Sequence, residues 1–418
     1  MIDFIIKSSG RIAHTLYVFS KKGINLISNR ELLSPKLLRE AFEELGTTYI
    51  KLGQFIASAP SLFPEDYIIE FQKCLDQTEP IPFKIVEEVV KQEFQRPISS
   101  IFKEINPLPL ASASIAQVHE AQLKNGDVVV IKVQKPHVRD IVQTDMNFVY
   151  VSSLILEHLI PEFKRLSLSE IIEDLKESML KECDFILEAK HTKDFLNFLK
   201  KMKIQDIVVP KIYDDFTTSR IITMERLNGI PLRDPEQIRK IKNPQEVIAK
   251  ALQIWFLSLI AFDFFHADVH SGNLMLLDDG RIAFIDFGIV GRIQKKTWEG
   301  LEKIILGMES NPIDFVLMAE GLVQSGIASE KKINILKFSK DLEEAFKIVE
   351  TIEDSYFLNE EFSEEEINKK LLTIIKVAKE NGIRFPREFG LLLKQFLYFD
   401  KYIKTLAPNI KMIDEFKK

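Results

Sequence analysis

Cysteine is nearly absent from this chain. Only two occur in 418 residues, Cys74 and Cys183, and neither stands in a CxxC or other metal-ligand spacing. No disulfide framework and no zinc site is expected, which suits a reducing cytoplasm. Long apolar runs are missing as well. The longest, Ile254 to Phe265, is interrupted by Asp263 and falls short of the ~20 residues that a membrane-spanning helix needs. It reads as a buried helix leading into His266. Excess basic charge is absent too, and a net charge of −6 argues against a nucleic-acid partner. The first 30 residues carry Lys7, Arg11, Lys21, Lys22 and Arg30 among Ile, Phe, Leu and Tyr, without the uninterrupted apolar centre of a signal peptide. Such a stripe lies on a membrane surface as an amphipathic helix or, more often, packs on its own protein. No internal repeat is visible.

Apolar surface, by contrast, is plentiful. A hydrophobic content of 46% with 31 Phe describes a globular chain, and the length suggests about two or three domains. Residues 1 to about 106 read as helical, most clearly at Pro35 to Ala57, and contain no convincing strand. Two β-rich runs, Val118 to Leu123 and Val128 to Val133, flank Asn125-Gly126 and predict a hairpin. A helical stretch then runs from Ile141 to about Lys200, broken near Pro161. Val208-Val209 and Arg220 to Met224 read as strands, and Gly229-Ile230-Pro231 as a break. From Glu246 onward the pattern is helical, apart from a hairpin over Leu274 to Ile285. The expected division is a helical extension (1–106), a strand-rich lobe with a helical insert (107–228), and a helical lobe (229–418).

The chemistry concentrates between His266 and Gly288. His266-Ala267-Asp268-Val269-His270-Ser271-Gly272-Asn273 precedes the second hairpin, and Asp286-Phe287-Gly288 follows it. An Asp, an Asn five positions on and a second Asp beyond a hairpin form the set that phosphoryl transfer from Mg-ATP requires. Asp268 orients or deprotonates the acceptor hydroxyl, while Asn273 and Asp286 hold magnesium against the phosphates. The other lobe must supply a cation, and Lys132 in Val129-Val130-Ile131-Lys132 is placed on a strand to grip them. Glu188, on a later helix, is a candidate carboxylate partner of Lys132, although these helices carry many Glu and the sequence alone does not choose among them. The cover over the phosphates is unusual: Ala111-Ser112-Ala113-Ser114-Ile115-Ala116-Gln117 contains no glycine, so its backbone is more restricted than a glycine loop. His270 stands where a typical protein kinase has lysine, and no Ala-Pro-Glu follows Gly288, so the platform for peptide substrates is not expected.

These departures together resemble the UbiB family of atypical kinases, in which an alanine-rich loop replaces the glycine loop. Lys51-Leu52-Gly53-Gln54 and its leader Leu45 to Ile50 match the family's Lys-x-Gly-Gln motif. Glu182-Cys183-Asp184 matches its Glu-x-Asp motif. Lys132-Val133-Gln134-Lys135-Pro136, Met224-Glu225, the His266 block and Asp286-Phe287-Gly288 follow in family order, and Arg384-Phe385-Pro386 resembles the start of its C-terminal helices. The resemblance covers about residues 40 to 410. Ser112 and Ala116 stand where many members have Ala and Gly, and the membrane-spanning tail of some members is missing.

The resemblance implies an α+β, bilobal protein-kinase-like fold with an N-terminal helical extension packed over the active site. It implies that Ala111, Ser112, Ala113, Ser114, Ile115, Gln117, Lys132, Glu225 and Leu227 bind nucleotide, with ATP and Mg as cofactors. It also implies a regulatory lid in which Lys51 and Gln54 approach Glu182 and Asp184. A regular helix would place Asp184 and Glu188 on one face and turn Glu182 away, so an irregularity is expected there. The expected activity is ATPase or small-molecule phosphoryl transfer. The expected setting is isoprenoid-quinone or related lipid metabolism, in the cytoplasm or peripherally on a membrane surface. A choline- or aminoglycoside-type phosphotransferase and a non-catalytic nucleotide-binding scaffold are the alternatives.

Overall fold

The structure, a computed structural model, describes residues 2–21, 34–57, 65–71, 73, 79–159, 168–232, 244–262, 264–269, 272–328, 333–354, 377–378, 380–384, 392, 395 and 399. Cys74, Pro161, His270, Ser271 and Phe385-Pro386 lie outside them. By its contacts the chain divides into two units, Met1–Lys190 with Lys211–Arg226, and His191–Pro210 with Leu227–Lys418.

The first unit is built on an antiparallel sheet in the order β1 (Phe102–Ile105), β3 (Ala116–Leu123), β4 (Val128–Gln134) and β6 (Ile221–Glu225), with β2 (Ala111–Ser112) also on β3. The hairpin around Asn125-Gly126 is β3–β4, with Val118 opposite Lys132. Strand β1 falls in the segment expected to be helical. Its Phe-Lys-Glu-Ile has two apolar residues at its ends, too little alternation to read, and its register slips between Phe102 and Glu104. Side chains alternate across a strand. Val129, Ile131 and Val133 therefore share one face of β4, packed with Val86, Val89 and Val90 of a helix at Phe83–Phe94. The same alternation turns Lys132 to the opposite face.

A second core of this unit joins α1 (Ile2–Lys21), α2 (Pro35–Leu45) and α3 (Thr47–Ala57) to two later helices, Val138–Leu159 and Leu168–Glu182. Helix α2 stops at Gly46, whose φ of 84° lies in the positive range that glycine enters without steric cost. In α1, Val18 and Phe19 are buried. Arg11 donates to the Leu45 carbonyl at 2.6 Å and forks onto Asp145 at 2.9 and 2.8 Å. One of the basic residues of the N-terminal stripe is thus an internal strut, and the described part of this helix packs on its own protein.

The second unit holds a sheet in the order β5 (Ile207–Val208), β10 (Ile282–Phe284), β9 (Leu274–Leu277) and β7 (Gly229–Pro231). The expected break at Gly229 is therefore a short strand. Its glycine is a packing requirement, because a Cβ there would run into the Leu276 carbonyl oxygen. A further pair, β8 (Phe264–His266) with β11 (Val290–Arg292), lies within the stretch read as helical. The helix Pro244–Phe262 ends before it, so the apolar run that seemed one helix is a helix followed by a strand. Aromatic rings fill the core: Phe195 packs on Phe284 and Phe287 at 5.4 and 5.2 Å between centroids, and Trp255 is fully buried. Each such ring contributes ~1.5–3 kcal/mol on burial, which accounts for the use of so many Phe.

Candidate functional site

In the first unit, the face of β4 opposite its valines places the Lys132 ammonium 3.0 Å from both oxygens of Glu188. The ring of Phe185 lies 5.2 Å from the same ammonium. Glu188 is 3% exposed, so the pair is largely removed from water, and each charge depends on the other. Glu188 belongs to the helix Phe185–Lys201. The irregularity expected before it is a break between two helices. Leu168–Glu182 ends, and Asp184 opens the next helix, its Oδ1 accepting the N–H groups of Ile186 and Leu187 at 3.1 and 3.3 Å. That break lets Glu182 turn to Lys51, whose ammonium lies 2.6 Å from it. Asp184 thus has a capping role as well as its place in the motif. Gln54 is half-buried on α3. Between the two acids, burial pushes the Cys183 thiol up to about 11, so it stays protonated at neutral pH.

The alanine-rich segment forms strand β2 and a tight turn closed by Ala113 N–H donating to the Ala116 carbonyl at 2.8 Å. No residue from 111 to 117 has positive φ. This backbone therefore makes no demand for glycine. Ala111 and Ser112 pair with Val118 and Gln117, and Ser114 and Ile115 are buried. The Gln117 side chain, proposed to bind nucleotide, is engaged elsewhere. Its Oε1 accepts the Ile81 N–H at 2.8 Å, and its Nε2 donates to the Ile81 carbonyl and to His119 Nε2. It belongs to the wall behind the turn, a role that a list of loop residues does not reveal. Glu225 at the end of β6 accepts the Lys211 N–H at 3.2 Å, and Leu227 begins the second stretch of the second unit.

In the second unit backbone groups bond several of the motif residues. His266 is fully buried. Its Nε2–H donates to the Ile285 carbonyl at 3.1 Å, and its Nδ1 accepts the Asp268 N–H at 3.1 Å, which sets a neutral tautomer. Asn273 Nδ2 donates to the Asp268 carbonyl at 3.0 Å, a bond that does not use its amide oxygen. The Asn273 carbonyl accepts the Ile285 N–H at 2.9 Å, so the hairpin joins the two motif blocks. Asp286 has a φ of 60°, a left-handed conformation costly for most side chains and most tolerated by Asn and Asp. Its Oδ1 accepts the Gly288 N–H at 3.3 Å. Phe287 is buried against His266, 4.7 Å between centroids, and its carbonyl accepts from His191 Nδ1 at 3.1 Å.

Two structural supports were not legible beforehand. Gln395, fully buried, accepts the Val269 N–H at 2.8 Å and donates to the Ala267 carbonyl at 2.7 Å. Trp255 Nε1 donates to the His266 carbonyl at 2.8 Å. Only three-dimensional proximity reveals them, since Gln395 stands 126 residues from its partner.

No group of three or more His, Cys, Asp or Glu able to hold a metal occurs among the described residues. The donor set fits magnesium nonetheless. One amide oxygen and one carboxylate suit an ion that keeps waters and takes phosphate oxygens for the rest of its shell.

Residues 73–312 match the ABC1 atypical kinase-like domain. An uncharacterized aarF domain-containing protein kinase of Arabidopsis thaliana, named as chloroplastic, is 44% identical over 402 residues, covering 92% of this chain and 74% of that protein. A probable protein kinase UbiB from a Shewanella species (strain MR-4) is 30% identical over 382 residues, 90% of this chain and 67% of that protein. Among solved structures, a Mycobacterium tuberculosis protein determined as its erythromycin complex superposes with a TM-score of 0.54 at 19% identity, over 87% of this chain and 90% of that one. That likeness shows a shared kinase-like α+β fold. With the domain match and these relatives together, the chain is a member of the ABC1/UbiB family of atypical kinase-like proteins.

Proposed function

We propose that this protein binds Mg-ATP and transfers its γ-phosphoryl group to water or to a small-molecule or lipid acceptor. The carrying observation is the buried Lys132–Glu188 pair, a charged couple that packing alone would not select. In the first unit, Glu188 holds the Lys132 ammonium in place for the α/β-phosphates, and the alanine-rich turn supplies backbone donors. In the second, Asn273 presents its amide oxygen and Asp286 its carboxylate as metal ligands. Asp268, pinned through its backbone, orients the acceptor hydroxyl or water. Bound magnesium would neutralise charge on the phosphates. Lys51 and Gln54 form a lid that disfavours bulky protein acceptors.

The setting we propose is isoprenoid-quinone or related lipid biosynthesis at a membrane surface. Support comes from relatives named UbiB. ATP turnover by the purified full chain, with and without vesicles carrying a quinone-like lipid, tests both parts. Magnesium-dependent turnover is expected, with stimulation by the lipid. Absence of nucleotide binding refutes the enzymatic reading, and turnover indifferent to the lipid refutes the proposed setting.

A further inference from the structure

Helix α3 places Thr47, Lys51 and Gln54 at intervals of four and three, hence on one face. Lys51 reaches Glu182, the last residue of the helix just before the corner that leads to Glu188. Thr47 reaches the alanine-rich turn: its hydroxyl donates to the Ser114 carbonyl at 2.8 Å. On the other side the turn is held by the Lys135 N–H, which donates to the Ile115 carbonyl at 2.9 Å. Ser114 is fully buried, yet its own hydroxyl has no hydrogen-bond partner among the described residues. The residue is therefore held through its carbonyl, and Thr47 provides that hold. One face of one helix thus ties down both the turn expected to cover the phosphates and the carboxylate preceding the Lys132 partner.

We propose that Thr47 is a positioning residue, whose bond to Ser114 keeps the turn pre-organised for nucleotide while Lys51 steadies the same helix against Glu182. This inference rests on the nucleotide-binding reading given above. Without the Thr47 bond, the turn samples more conformations, and ordering it opposes binding. A net hydrogen bond of ~1 kcal/mol corresponds to about a fivefold change in affinity.

The test uses the full chain with Thr47→Val, which keeps shape and removes the hydroxyl, and Thr47→Ser, which restores it. Calorimetric titration with Mg-ATP should show binding about fivefold weaker for Thr47→Val and within about twofold of wild type for Thr47→Ser. Amide hydrogen exchange of residues 113–117 in the nucleotide-free chain should be faster in Thr47→Val alone. Thr47→Val combined with Lys51→Ala should lose less affinity than the sum of the two single losses, because both act through α3. Unchanged or tighter binding by Thr47→Val, or a Thr47→Ser variant as weak as Thr47→Val, overturns the assignment. Unchanged exchange overturns the tie itself, and that measurement needs no nucleotide. If the wild-type chain binds no ATP, the proposed function fails while the exchange experiment still decides the tie.

Discussion

The two units hold their charged motif residues by different means. In the first, charge holds charge: Lys132 faces Glu188, Lys51 faces Glu182, and Arg11 forks onto Asp145. In the second, backbone does much of the holding. The Asp268 N–H and carbonyl are both bonded, Asn273 is fixed through its amide nitrogen, and Asp286 sits in a left-handed turn. An ion pair positions a group but couples two fates, since losing one member strands the other in a poorly hydrated place. A backbone hydrogen bond positions a motif residue without a second buried charge to strand. Conservative substitution of the Asp286 carboxylate in the second unit should therefore cost activity with little stability, and breaking the ion pairs of the first should cost both.

The largest effect is expected at Asp286. Asn has nearly the same shape and also tolerates a positive φ, so Asp286→Asn should fold normally. It removes a full charge from the proposed magnesium site, so turnover should fall by more than the roughly 10–100-fold that groups outside a metal's ligand shell cost. Calorimetry should show Mg-ATP affinity greatly weakened at an unchanged melting temperature. A folded mutant with wild-type affinity would remove Asp286 from the metal site.

Next comes the pair in the first unit. Lys132→Met leaves a buried carboxylate, and Glu188→Gln leaves a buried ammonium. Each should destabilise by ~3–5 kcal/mol and abolish most turnover. The double mutant removes both charges, so it should recover much of the stability and be hardly worse in turnover than either single change. Additive losses in denaturant titration and in ATP turnover would show that each residue acts with some other partner.

Gln395 sharpens the comparison from the second unit, because it supports the Asp268 segment without belonging to any motif. Gln395→Leu leaves the Val269 N–H and the Ala267 carbonyl without this partner, at ~1–3 kcal/mol for each buried group. The expected result is a lowered melting temperature and reduced kcat, with Mg-ATP affinity nearly kept, since Asn273 and Asp286 are held by other bonds. Equal losses in kcat and affinity would mean that the whole segment, the proposed metal ligands included, depends on Gln395.

The ease of reading each half from the sequence followed the same division. Both hairpins were legible because turn chemistry and strand propensity act over a few residues, and the motif blocks sit at their ends. Lys132 was legible from its strand, and Glu188 from its place six positions after Glu182 in a matching motif. The turn geometry that makes glycine unnecessary at Ala113 was not, nor was the helix break that lets Glu182 and Glu188 face different lysines. Strand β8 was masked by its own hydrophobicity, since a short apolar run ending a helix has no period of its own. The Gln117 side-chain bonds were not legible for a similar reason: its neighbours in sequence line the turn, but its partners at Ile81 lie 36 residues away.

The smallest effect concerns the neutral network behind that turn, which contrasts with the ion pairs of the same unit. His119 is fully buried. Its Nδ1–H donates to the Asn106 carbonyl at 2.8 Å, and its Nε2 accepts from Gln117 Nε2 at 2.9 Å. Burial lowers its pKa below the ordinary 6.5, against a smaller opposing push from the Asn106 carbonyl. Protonation would put a hydrogen on Nε2 facing the Gln117 donor, so that bond would be lost as well. A histidine with a depressed folded pKa binds fewer protons folded than unfolded, so its contribution is complete above pH 6.5. It is lost as the pH falls from there toward the folded value. Denaturant titrations between pH 8 and pH 5.5 should show stability flat at the alkaline end and declining below 6.5. His119→Gln, which cannot titrate, should lose part of that decline. If wild type and variant decline in parallel, His119 is not held neutral by its burial, and the wall behind the turn is charged like the rest of the unit.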